Sequence, residues 1–241
     1  MRMVARLVEA AHYLARCLRY RLRTERLQLR TLAKLKLSGT TVLDVGANKG
    51  IYCFWLSRAV GNTGRVIAFE PQPEMQTYIK RQNKLFRRHN ITVRGTALSN
   101  RDGHAGLWRQ HIGDGSASLE ADRQQTDSKA ITVELTTLDR LELTSLDFMK
   151  CDVEGHEIDV FRGGQETIEK FRPVVQFEAI PADADEIFEF FVRIGYRGIM
   201  FLGTAYLPYK NPRAVPHYKF GQTGHRDYLF YPPEAVGKII P

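Results

Sequence analysis

The chain has 241 residues, 43% of them hydrophobic, which corresponds to one large domain or to one domain with a short appendage. Its three cysteines (Cys17, Cys53 and Cys151) are widely spaced and form no CxxC pair, which excludes a disulfide framework or a cysteine zinc site and predicts a reducing, cytoplasmic location. The formal net charge of +8 resides in residues 1–36, which hold ten basic and two acidic residues, whereas the rest of the chain holds 25 of each. The main body is therefore not a basic protein.

Residues 1–38 are predicted to form a basic amphipathic helical arm ahead of a main domain at 39–241. Apolar residues recur at helical spacing from Val4 to Leu18, with arginines largely off that stripe, and a second leucine-rich helix is predicted from Arg23 to Leu37. An apolar stripe flanked by arginines is typical of a helix that lies in a membrane surface. The arm is therefore expected either to contact the inner membrane surface peripherally or to pack on the domain or a partner subunit.

No signal peptide is expected, and no apolar run approaches the roughly 18–20 residues that a membrane-spanning helix needs. From Thr40 onward, predicted strands and helices alternate, which favours a parallel sheet with helices on both faces. The predicted strands are 41–45, 65–70, 91–98, 147–152, 173–178, 197–202 and 227–231, and the predicted helices are 52–60, 73–89, 156–170 and 183–194. Residues 106–110 and 131–138 alternate like paired antiparallel strands, separated by a polar loop that is expected to be functional or disordered.

Two predicted strands end in residues that suit a ligand, and ligands of open parallel sheets bind at such carboxyl ends. In DVGANKG, Gly46 and Gly50 permit a tight turn and close backbone approach, and Asn48 tolerates a left-handed conformation. Asp44 could meet a cationic or hydroxyl group, and Glu70 could accept both hydroxyls of a ribose. Gly46 and Gly50 could be ordinary turn glycines, and Asp44 and Glu70 could be solvent-facing acids. The four residues together, at this spacing, favour a nucleotide-like ligand.

Two ligand classes fit these strand ends. A dinucleotide needs a G-x-G-x-x-G helix start for its pyrophosphate, but this loop reads G-A-N-K-G, and Asp44 would repel a phosphate. S-adenosylmethionine has no phosphate and carries a sulfonium and an ammonium group. The acidic loop therefore favours S-adenosylmethionine.

Six segments between residues 41 and 180 resemble the FkbM family of S-adenosylmethionine-dependent methyltransferases. In chain order they read VLDVGANKGIYCFWLSR, AFEPQPEMQTYIKRQNKL, TALSNRDG, TTLDRL, MKCDVEGHEIDVFRGG and RPVVQFEA. The resemblance implies an α/β class I methyltransferase fold, a Rossmann-like three-layer sandwich whose seven-stranded, mostly parallel sheet has one antiparallel strand. It also implies O-methylation of a hydroxyl on a sugar, glycolipid or natural product. The arm lies outside the resemblance, so this N-terminal helical extension inherits nothing from it.

The resemblance also implies roles for single residues. Asp44, Gly46, Asn48 and Gly50 would line the methionine moiety and Glu70 would hold the ribose. Ala97 and Leu98 would lie along the adenine, and Asp152 would close the site at the tip of the fourth strand. Ser116 and Ser118 lie in a Gly-Asp-Gly-Ser-Ala-Ser segment often near the cofactor, where they either donate hydrogen bonds to the ligand or cap a turn.

Methyl transfer needs precise positioning, and an acceptor alcohol must lose its proton to a nearby carboxylate or imidazole. The candidates are Asp152, Glu154 and His156 in KCDVEGHE and Glu178 at the end of the next strand, although His156 could be a surface residue. Glu157 is expected to be a structural cap at a helix N-terminus. Asp152, Glu154 and Glu178 could gather around Mg²⁺ or Ca²⁺, but nothing in the sequence fixes a coordination geometry and no metal is predicted.

Two other functions remain open at the level of sequence. The basic arm could belong to an RNA methyltransferase, although base-amino methylation in this fold usually places an Asn/Asp-Pro-Pro-aromatic element where this chain has DVEG. The arm could instead belong to a membrane-surface protein that binds S-adenosylmethionine without turnover. A small-molecule, glycan or glycolipid acceptor is expected rather than nucleic acid, and neither the acceptor nor the oligomeric state is predicted.

Overall fold

The strands and helices begin and end close to where the apolar pattern predicts them. A computed structural model of the chain describes residues 2–120, 127–202, 205–209 and 226–235. The helices are α1 (Arg2–Arg19), α2 (Arg26–Lys34), α3 (Ile51–Val60), α4 (Pro73–Leu85), α5 (Glu157–Arg162), α6 (Gln165–Phe171) and α7 (Pro181–Arg193). The strands are β1 (Thr41–Val45), β2 (Arg65–Phe69), β3 (Ile91–Arg94), β4 (Ala97–Leu98), β5 (Gly103–Arg109), β6 (Lys129–Thr136), β7 (Phe148–Cys151), β8 (Val174–Ala179), β9 (Arg197–Leu202), β10 (Ala205–Tyr209) and β11 (Arg226–Tyr231).

The main sheet has eight strands in the order β10-β9-β11-β8-β7-β1-β2-β3. Strands β3, β2, β1, β7 and β8 are parallel to one another, and β11 is antiparallel to both of its neighbours. The predicted mostly parallel sheet is confirmed, but the predicted seven strands become eight because β10 pairs antiparallel with β9. This added strand satisfies backbone groups that β9 would otherwise present at an open edge.

The predicted strand at 91–98 is divided between two sheets. β3 stays in the main sheet, whereas β4 joins β6 and β5 in a separate three-stranded sheet. The predicted antiparallel pairing of the next two strands is confirmed by the β5–β6 ladder. The chain therefore leaves the edge of the main sheet after Arg94, and the small sheet stands beside the carboxyl ends of the parallel strands.

The predicted helix at 156–170 is interrupted at Gly163 and Gly164, which separate α5 from α6. A Cβ atom on Gly163 would lie 1.9 Å from the backbone oxygen of Ser99, and one on Gly164 would lie 2.5 Å from the Leu138 side chain. The backbone contact at Gly163 requires glycine, and the two contacts pack the helix pair against the segments that follow β4 and β6.

The two faces of the sheet carry separate hydrophobic cores. Successive β1 residues alternate between them, so that Leu43 packs with α5, α6 and α7 while Val42 packs with α1, α2 and α3. The arm contributes fully buried side chains to the second core, including Tyr13 at 2% and Leu29 at 1% exposure. The sheet with helices on both faces is the predicted three-layer sandwich.

The arm is held to the body by hydrogen bonds as well as by apolar contacts. The Tyr13 hydroxyl donates to the Gly50 backbone oxygen at 2.6 Å, and Trp55 Nε1 donates to the Cys17 backbone oxygen at 3.1 Å. In place of the continuous second helix predicted from residue 23, a five-residue π-helix (Tyr20–Thr24) precedes α2. Within the described part of the chain, none of the helices has both the length and the apolarity that crossing a bilayer requires.

Candidate functional site

The carboxyl ends of β1, β2 and β7 open into a cavity that also contacts the small sheet and, with the solvent at its mouth, encloses about 640 Å³. We refer to it as the cofactor cavity. Seven of the predicted site residues line it: Gly46, Asn48, Glu70, Ala97, Leu98, Asp152 and Glu154. The structure thus brings together residues that are more than 100 positions apart in the sequence.

The loop after β1 is shaped by left-handed backbone at Gly46 (φ 78°) and Asn48 (φ 46°). A Cβ atom on Gly46 would lie 1.8 Å from the Asp152 backbone oxygen, so only glycine lets the ends of β1 and β7 approach this closely. Gly50 also has a positive φ, but it caps α3 and accepts the Tyr13 hydrogen bond. Gly50 therefore shapes the loop from behind and lines no part of the cofactor cavity.

Glu70 is held rigidly at the end of β2, with only 3% of its surface exposed. Its two carboxylate oxygens accept hydrogen bonds from the backbone N–H groups of Asn48 at 2.7 Å and Gln72 at 2.9 Å. Burial raises the pKa of Glu70 to about 7, against the lowering effect of these two donors. Each carboxylate oxygen keeps a further lone pair, so Glu70 can accept two hydroxyl groups of a ribose.

Asp44 is more deeply buried, at 2% exposure, and its Oδ2 atom has no hydrogen-bond partner among the described residues. Burial raises the pKa of Asp44 to about 6, partly offset by a hydrogen bond with Cys53. The side-chain oxygen of neighbouring Asn48 is also buried without a partner in the described chain. Unsatisfied buried acceptors are costly, so this pair of oxygens fits a donor-rich cationic group such as an ammonium.

Gln72 and Asp114 also line the cofactor cavity and are not among the predicted site residues. Gln72 Nε2 donates to the Asp114 backbone oxygen at 3.0 Å, and its Oε1 accepts from the Gly113 N–H at 3.2 Å. Gln72 thus holds the loop at 113–116 against the end of β2. The sequence feature that could have identified Gln72 as a site residue is its position two residues after Glu70.

The two serines of this loop have internal partners. The Ser116 hydroxyl donates to Asp114 Oδ1 at 2.8 Å, and Ser116 lies outside the cofactor cavity. The Ser118 hydroxyl donates to the Glu154 backbone oxygen at 2.8 Å. Both hydroxyls therefore stabilise the loop, which is one of the two roles that the sequence left open.

A larger cavity adjoins the cofactor cavity and, with the solvent at its mouth, encloses about 1630 Å³. We call it the acceptor chamber. The two cavities share Gly46, Asn48, Gly115, Asp152 and Glu154. The chamber is also lined by Asp44, Lys49, Lys150, Glu178 and Asp227 and by five residues from the arm region: Arg16, Arg19, Tyr20, Thr24 and Glu25.

Lys150 lies in the central strand β7 with 1% exposure, and its ammonium group reaches the floor of the acceptor chamber. Its Nζ atom lies 3.3 Å from Asp152 Oδ2 and 5.2 Å from the ring centroid of Tyr52. Burial alone would lower the pKa of Lys150, but surrounding carboxylates hold it well above its usual value. These carboxylates belong to Asp152, Glu25, Asp227 and Glu178.

The acids around Lys150 outnumber the single cation, and their pKa values are shifted accordingly. Burial, followed by the proximity of Asp152, raises the pKa of Glu178 to about 8. Burial raises the pKa of Glu25 to about 7 and that of Asp227 above its usual range. Asp227 Oδ2 accepts from Gln28 Nε2 at 2.7 Å, but Oδ1 is buried without a partner in the described residues. The floor of the chamber is therefore rich in acceptors for hydroxyl groups.

His156 and Glu157 lie behind the loop that follows β7. His156 Nε2 is 2.9 Å from the Ser99 hydroxyl and Nδ1 is 2.5 Å from Glu120 Oε1, and the residue lines neither cavity. Glu157 accepts hydrogen bonds from the backbone N–H groups of Val153 at 2.9 Å and Gly155 at 3.1 Å. Both side chains hold the loop in shape, and His156 is not brought to the predicted catalytic position.

The acids that were considered as a metal site do not converge. In the described residues, the ligand atoms of Asp152, Glu154 and Glu178 do not form a group within 4.8 Å, whereas those of Glu120, His156 and Asp159 do. That second group lies at the His156 hydrogen bonds, outside both cavities. The site's chemistry is therefore described by carboxylates, one buried ammonium and backbone groups, and these residues fit S-adenosylmethionine.

Several solved methyltransferases have a similar fold. An FkbM methyltransferase from Methylobacillus flagellatus KT superposes with a TM-score of 0.57 at 16% identity, covering 82% of this chain and 45% of that protein. This chain thus spans less than half of that protein's length. The Streptococcus mutans protein SMU.1697c, solved in complex with SAH, superposes with a TM-score of 0.54 at 8% identity, covering 87% of this chain and 97% of that one.

An rRNA methylase from Streptococcus thermophilus also shares the fold, with a TM-score of 0.52 at 9% identity, covering 85% of this chain and 93% of that one. At these identities the similarity is one of fold. No curated protein matches the sequence of this chain. The model of the methyltransferase FkbM domain matches residues 44–197, which is more than half of the sequence. The chain therefore belongs to the FkbM methyltransferase family.

Proposed function

We propose that this protein transfers a methyl group from S-adenosylmethionine to a hydroxyl group of a sugar, glycolipid or natural product. Family membership and fold support methyl transfer, and the two adjoining cavities support the choice of a hydroxyl acceptor. The single observation that carries the proposal is the position of Asp152. Its carboxylate lies where the cofactor cavity meets the acceptor chamber, beside the Lys150 ammonium.

The cofactor supplies an activated methyl group on a sulfonium. Glu70 is suited to accept the ribose hydroxyls, and Ala97 and Leu98 form the apolar surface for the adenine. Asp44, with its unpartnered oxygen, is suited to receive the ammonium of the methionine part. These residues fix the position of the methyl donor, and such positioning supplies much of the rate gain in a displacement reaction.

Asp152 is proposed to take the proton of the acceptor hydroxyl. The ammonium of Lys150 lies 3.3 Å from Asp152 Oδ2 and fixes this carboxylate where the two cavities meet. Glu178 and Glu154 line the same part of the chamber and are proposed to orient the acceptor. The acceptor-rich floor, including the free Oδ1 of Asp227 within the described residues, supports a ligand with several hydroxyl groups.

We also propose that the reaction takes place in a reducing compartment such as the cytoplasm. All three cysteines are free and buried, which supports this location.

The proposal is tested by incubating the protein and S-adenosylmethionine carrying a labelled methyl group with cell extract, then separating lipid, carbohydrate and RNA. We expect the label in the carbohydrate or lipid fraction, and no label with the Asp152→Asn variant. Label confined to RNA would contradict the proposal in favour of an RNA methyltransferase. Cofactor binding without any labelled product would instead indicate a binding protein without turnover.

A further inference from the structure

The methionine part of S-adenosylmethionine carries a carboxylate as well as an ammonium, and the acidic strand ends match only the ammonium. Three cations line the acceptor chamber near the loop after β1: Arg16, Arg19 and Lys49. Within the described residues, none of the three has an ion pair within 4.0 Å. Within the described part of the chain, cations without an ion pair thus line the same chamber as Asp44 and Asn48, whose buried oxygens have no partner.

Arg16 is held firmly at this position by its neighbours on α1. Tyr13 is 2% exposed and donates to the Gly50 backbone oxygen, while Cys17 is fully buried and its backbone oxygen accepts from Trp55. The Tyr13 contact therefore ties α1 to the loop before α3, and the Cys17 contact ties α1 to α3 itself. Lys49 belongs to that same loop, and burial together with the charge of Arg16 lowers its pKa. Both cations line the same chamber, where the positive charge of Arg16 disfavours the charged form of Lys49.

We propose that Arg16 and Lys49 bind the methionine carboxylate of S-adenosylmethionine, so that the arm completes the cofactor site. An arginine pairs well with a carboxylate because its planar N–H groups can donate two parallel hydrogen bonds. The matched family domain begins at residue 44 and therefore includes Lys49 but not Arg16. The inference rests on the cofactor assignment, and it gives the inner face of the arm a role in binding.

Calorimetric titration with two ligands separates this role from a structural one. S-adenosylhomocysteine has the amino-acid tail, whereas 5′-methylthioadenosine shares its adenosine and thioether but lacks the carboxylate. We expect Arg16→Gln to weaken S-adenosylhomocysteine binding by roughly 10-fold or more, as the loss of a charged hydrogen bond does. The affinity for 5′-methylthioadenosine should stay within about twofold of wild type. Arg23→Gln, on an exposed arginine of the arm outside the chamber, is the matched control.

Equal losses for both ligands would show that Arg16 acts only through the fold and would overturn the proposal. Unchanged affinity for S-adenosylhomocysteine would also overturn it, while leaving the cofactor assignment intact. A wild-type protein that binds neither ligand would instead reject the cofactor assignment itself.

The outer face of the same arm carries an unusual apolar surface. Among the described residues, nine large hydrophobic side chains are exposed, and six of them fall within the first 22 positions. These six, which we call the outer stripe, are Val4, Leu7, Val8, Leu14, Leu18 and Leu22, with exposures from 36% to 64%. The helical spacing predicted as an apolar stripe therefore faces away from the core. A contiguous exposed apolar patch is typical of an interaction surface.

The exposed charges of the arm are mainly positive. Arg6, Arg19 and Arg23 are exposed around the arm. The acid within α1, Glu9, is already taken by Arg81 at 2.5 Å and by Gln82 at 2.7 Å. The other acid of the arm, Glu25, faces the acceptor chamber. Among its described residues, the arm that carries the outer stripe thus exposes positive charge, while its two acids face Arg81 and the chamber.

We infer that the outer stripe docks on an anionic lipid surface. Apolar side chains that enter the headgroup boundary, bordered by arginines that meet anionic headgroups, are the features of an interfacial helix. A second copy of this chain fits less well, because each arm has a net charge of +8 over residues 1–36 and two such arms would repel each other.

Co-sedimentation of the full chain with vesicles tests this surface. We expect binding to vesicles that contain phosphatidylglycerol, weaker binding at high salt, and little binding to pure phosphatidylcholine. A triple variant in which Leu7, Leu14 and Leu18 are all changed to Gln should have a partition coefficient that is lower by about 10-fold or more, since each substitution removes apolar surface that would enter the membrane. Replacing Leu85 and Ile112 with Gln, two exposed apolar residues outside the arm, should leave it unchanged.

Failure of the wild-type chain to bind phosphatidylglycerol vesicles would overturn the inference. So would sedimentation equilibrium showing a dimer that the triple variant dissociates, because the outer stripe would then be a contact between two copies. Circular dichroism of the triple variant guards against a loss of binding through unfolding.

Discussion

The cofactor cavity and the acceptor chamber meet at the same strand ends, but they differ in how far their polar groups are satisfied. In the cofactor cavity, Glu70 already accepts two backbone hydrogen bonds and Gln72 holds the loop at 113–116. In the chamber, one buried lysine faces four acids, and carboxylate oxygens of Asp44 and Asp227 have no partner among the described residues. Glu70 and Gln72 are thus fixed by protein hydrogen bonds, whereas the chamber retains carboxylate oxygens that no described residue satisfies.

The two regions also differ in where their residues come from. The residues lining the cofactor cavity all lie within the matched family domain, between Val45 and Glu154. The chamber takes Arg16, Glu25 and other residues from the arm, and Asp227 from a strand beyond the domain match. The cofactor cavity is therefore built from the family domain alone, whereas the chamber also depends on the segments that flank this domain.

The largest expected effect concerns Asp152, the residue shared by both regions. Asp152→Asn keeps the size of the side chain but removes the base, so labelled methyl transfer should fall by about 10²-fold or more. Calorimetry should show S-adenosylhomocysteine affinity within about threefold of wild type, because Asn48, Glu70 and Gln72 are unchanged. Methyl transfer by the variant at half the wild-type rate would show that Asp152 is not the base.

The next effect separates the cofactor cavity from the loop beside it. Asp44→Ala or Glu70→Ala should weaken S-adenosylhomocysteine binding by roughly 10- to 100-fold, because each removes charged hydrogen bonds. Ser116→Ala is the control and should change affinity by less than about threefold, since its hydroxyl is bonded to Asp114. Unchanged affinity in both acidic variants, with folding intact by circular dichroism, would contradict the cofactor assignment.

A third prediction concerns the close contact between the ends of β1 and β7. Gly46→Ala would place a Cβ atom 1.8 Å from the Asp152 backbone oxygen at a positive φ, so it should lower the free energy of unfolding by at least about 2 kcal/mol. Gly106→Ala is the matched control, since its nearest neighbour would lie at an ordinary 3.5 Å. Equal urea midpoints for the two variants would show that this contact is not a constraint.

The smallest expected effect is a dependence of cofactor affinity on pH. Asp44 has a pKa of about 6 before the ligand binds, and an ammonium group prefers its ionised form. Lowering the pH below 6 therefore protonates Asp44 and should weaken S-adenosylhomocysteine binding by about 10-fold at pH 5 relative to pH 8. Asp44→Asn should bind weakly and with less pH dependence, and titrations in matched buffers would measure both. An affinity of the wild-type protein that rises as pH falls would contradict the role of Asp44.

The sequence predicts the cofactor cavity better than the chamber for a physical reason. Parallel strands bring their carboxyl ends to one edge, so strand ends such as Asp44, Glu70 and Asp152 can be placed from alternation alone. The break in the helix at Gly163 and the break in the strand after Arg94 depend on contacts with distant segments. The local apolar pattern does not contain these contacts, so it predicts one continuous helix and one continuous strand.

The chamber depends on pairings across the whole chain. Gln28 and Asp227 are 199 positions apart, and the Tyr52 hydroxyl bonds to Glu25 of the arm, so neither contact leaves a local signal. Lys150 does have a local signal. A lysine inside the apolar strand FMKC is expected to be buried, and a buried lysine needs acidic partners. His156 was a candidate because it is close to Asp152 in the sequence, but it lines neither cavity. Proximity in sequence therefore does not predict proximity in the site.

The most direct test of the central claim is a calorimetric comparison of wild-type protein with S-adenosylhomocysteine and with NAD. Acidic strand ends without a phosphate cradle predict saturable binding of S-adenosylhomocysteine at one site per chain, which S-adenosylmethionine displaces and NAD does not. Saturable binding of NAD with none of S-adenosylhomocysteine would contradict the account, because the loop after β1 would then accommodate a pyrophosphate despite Asp44.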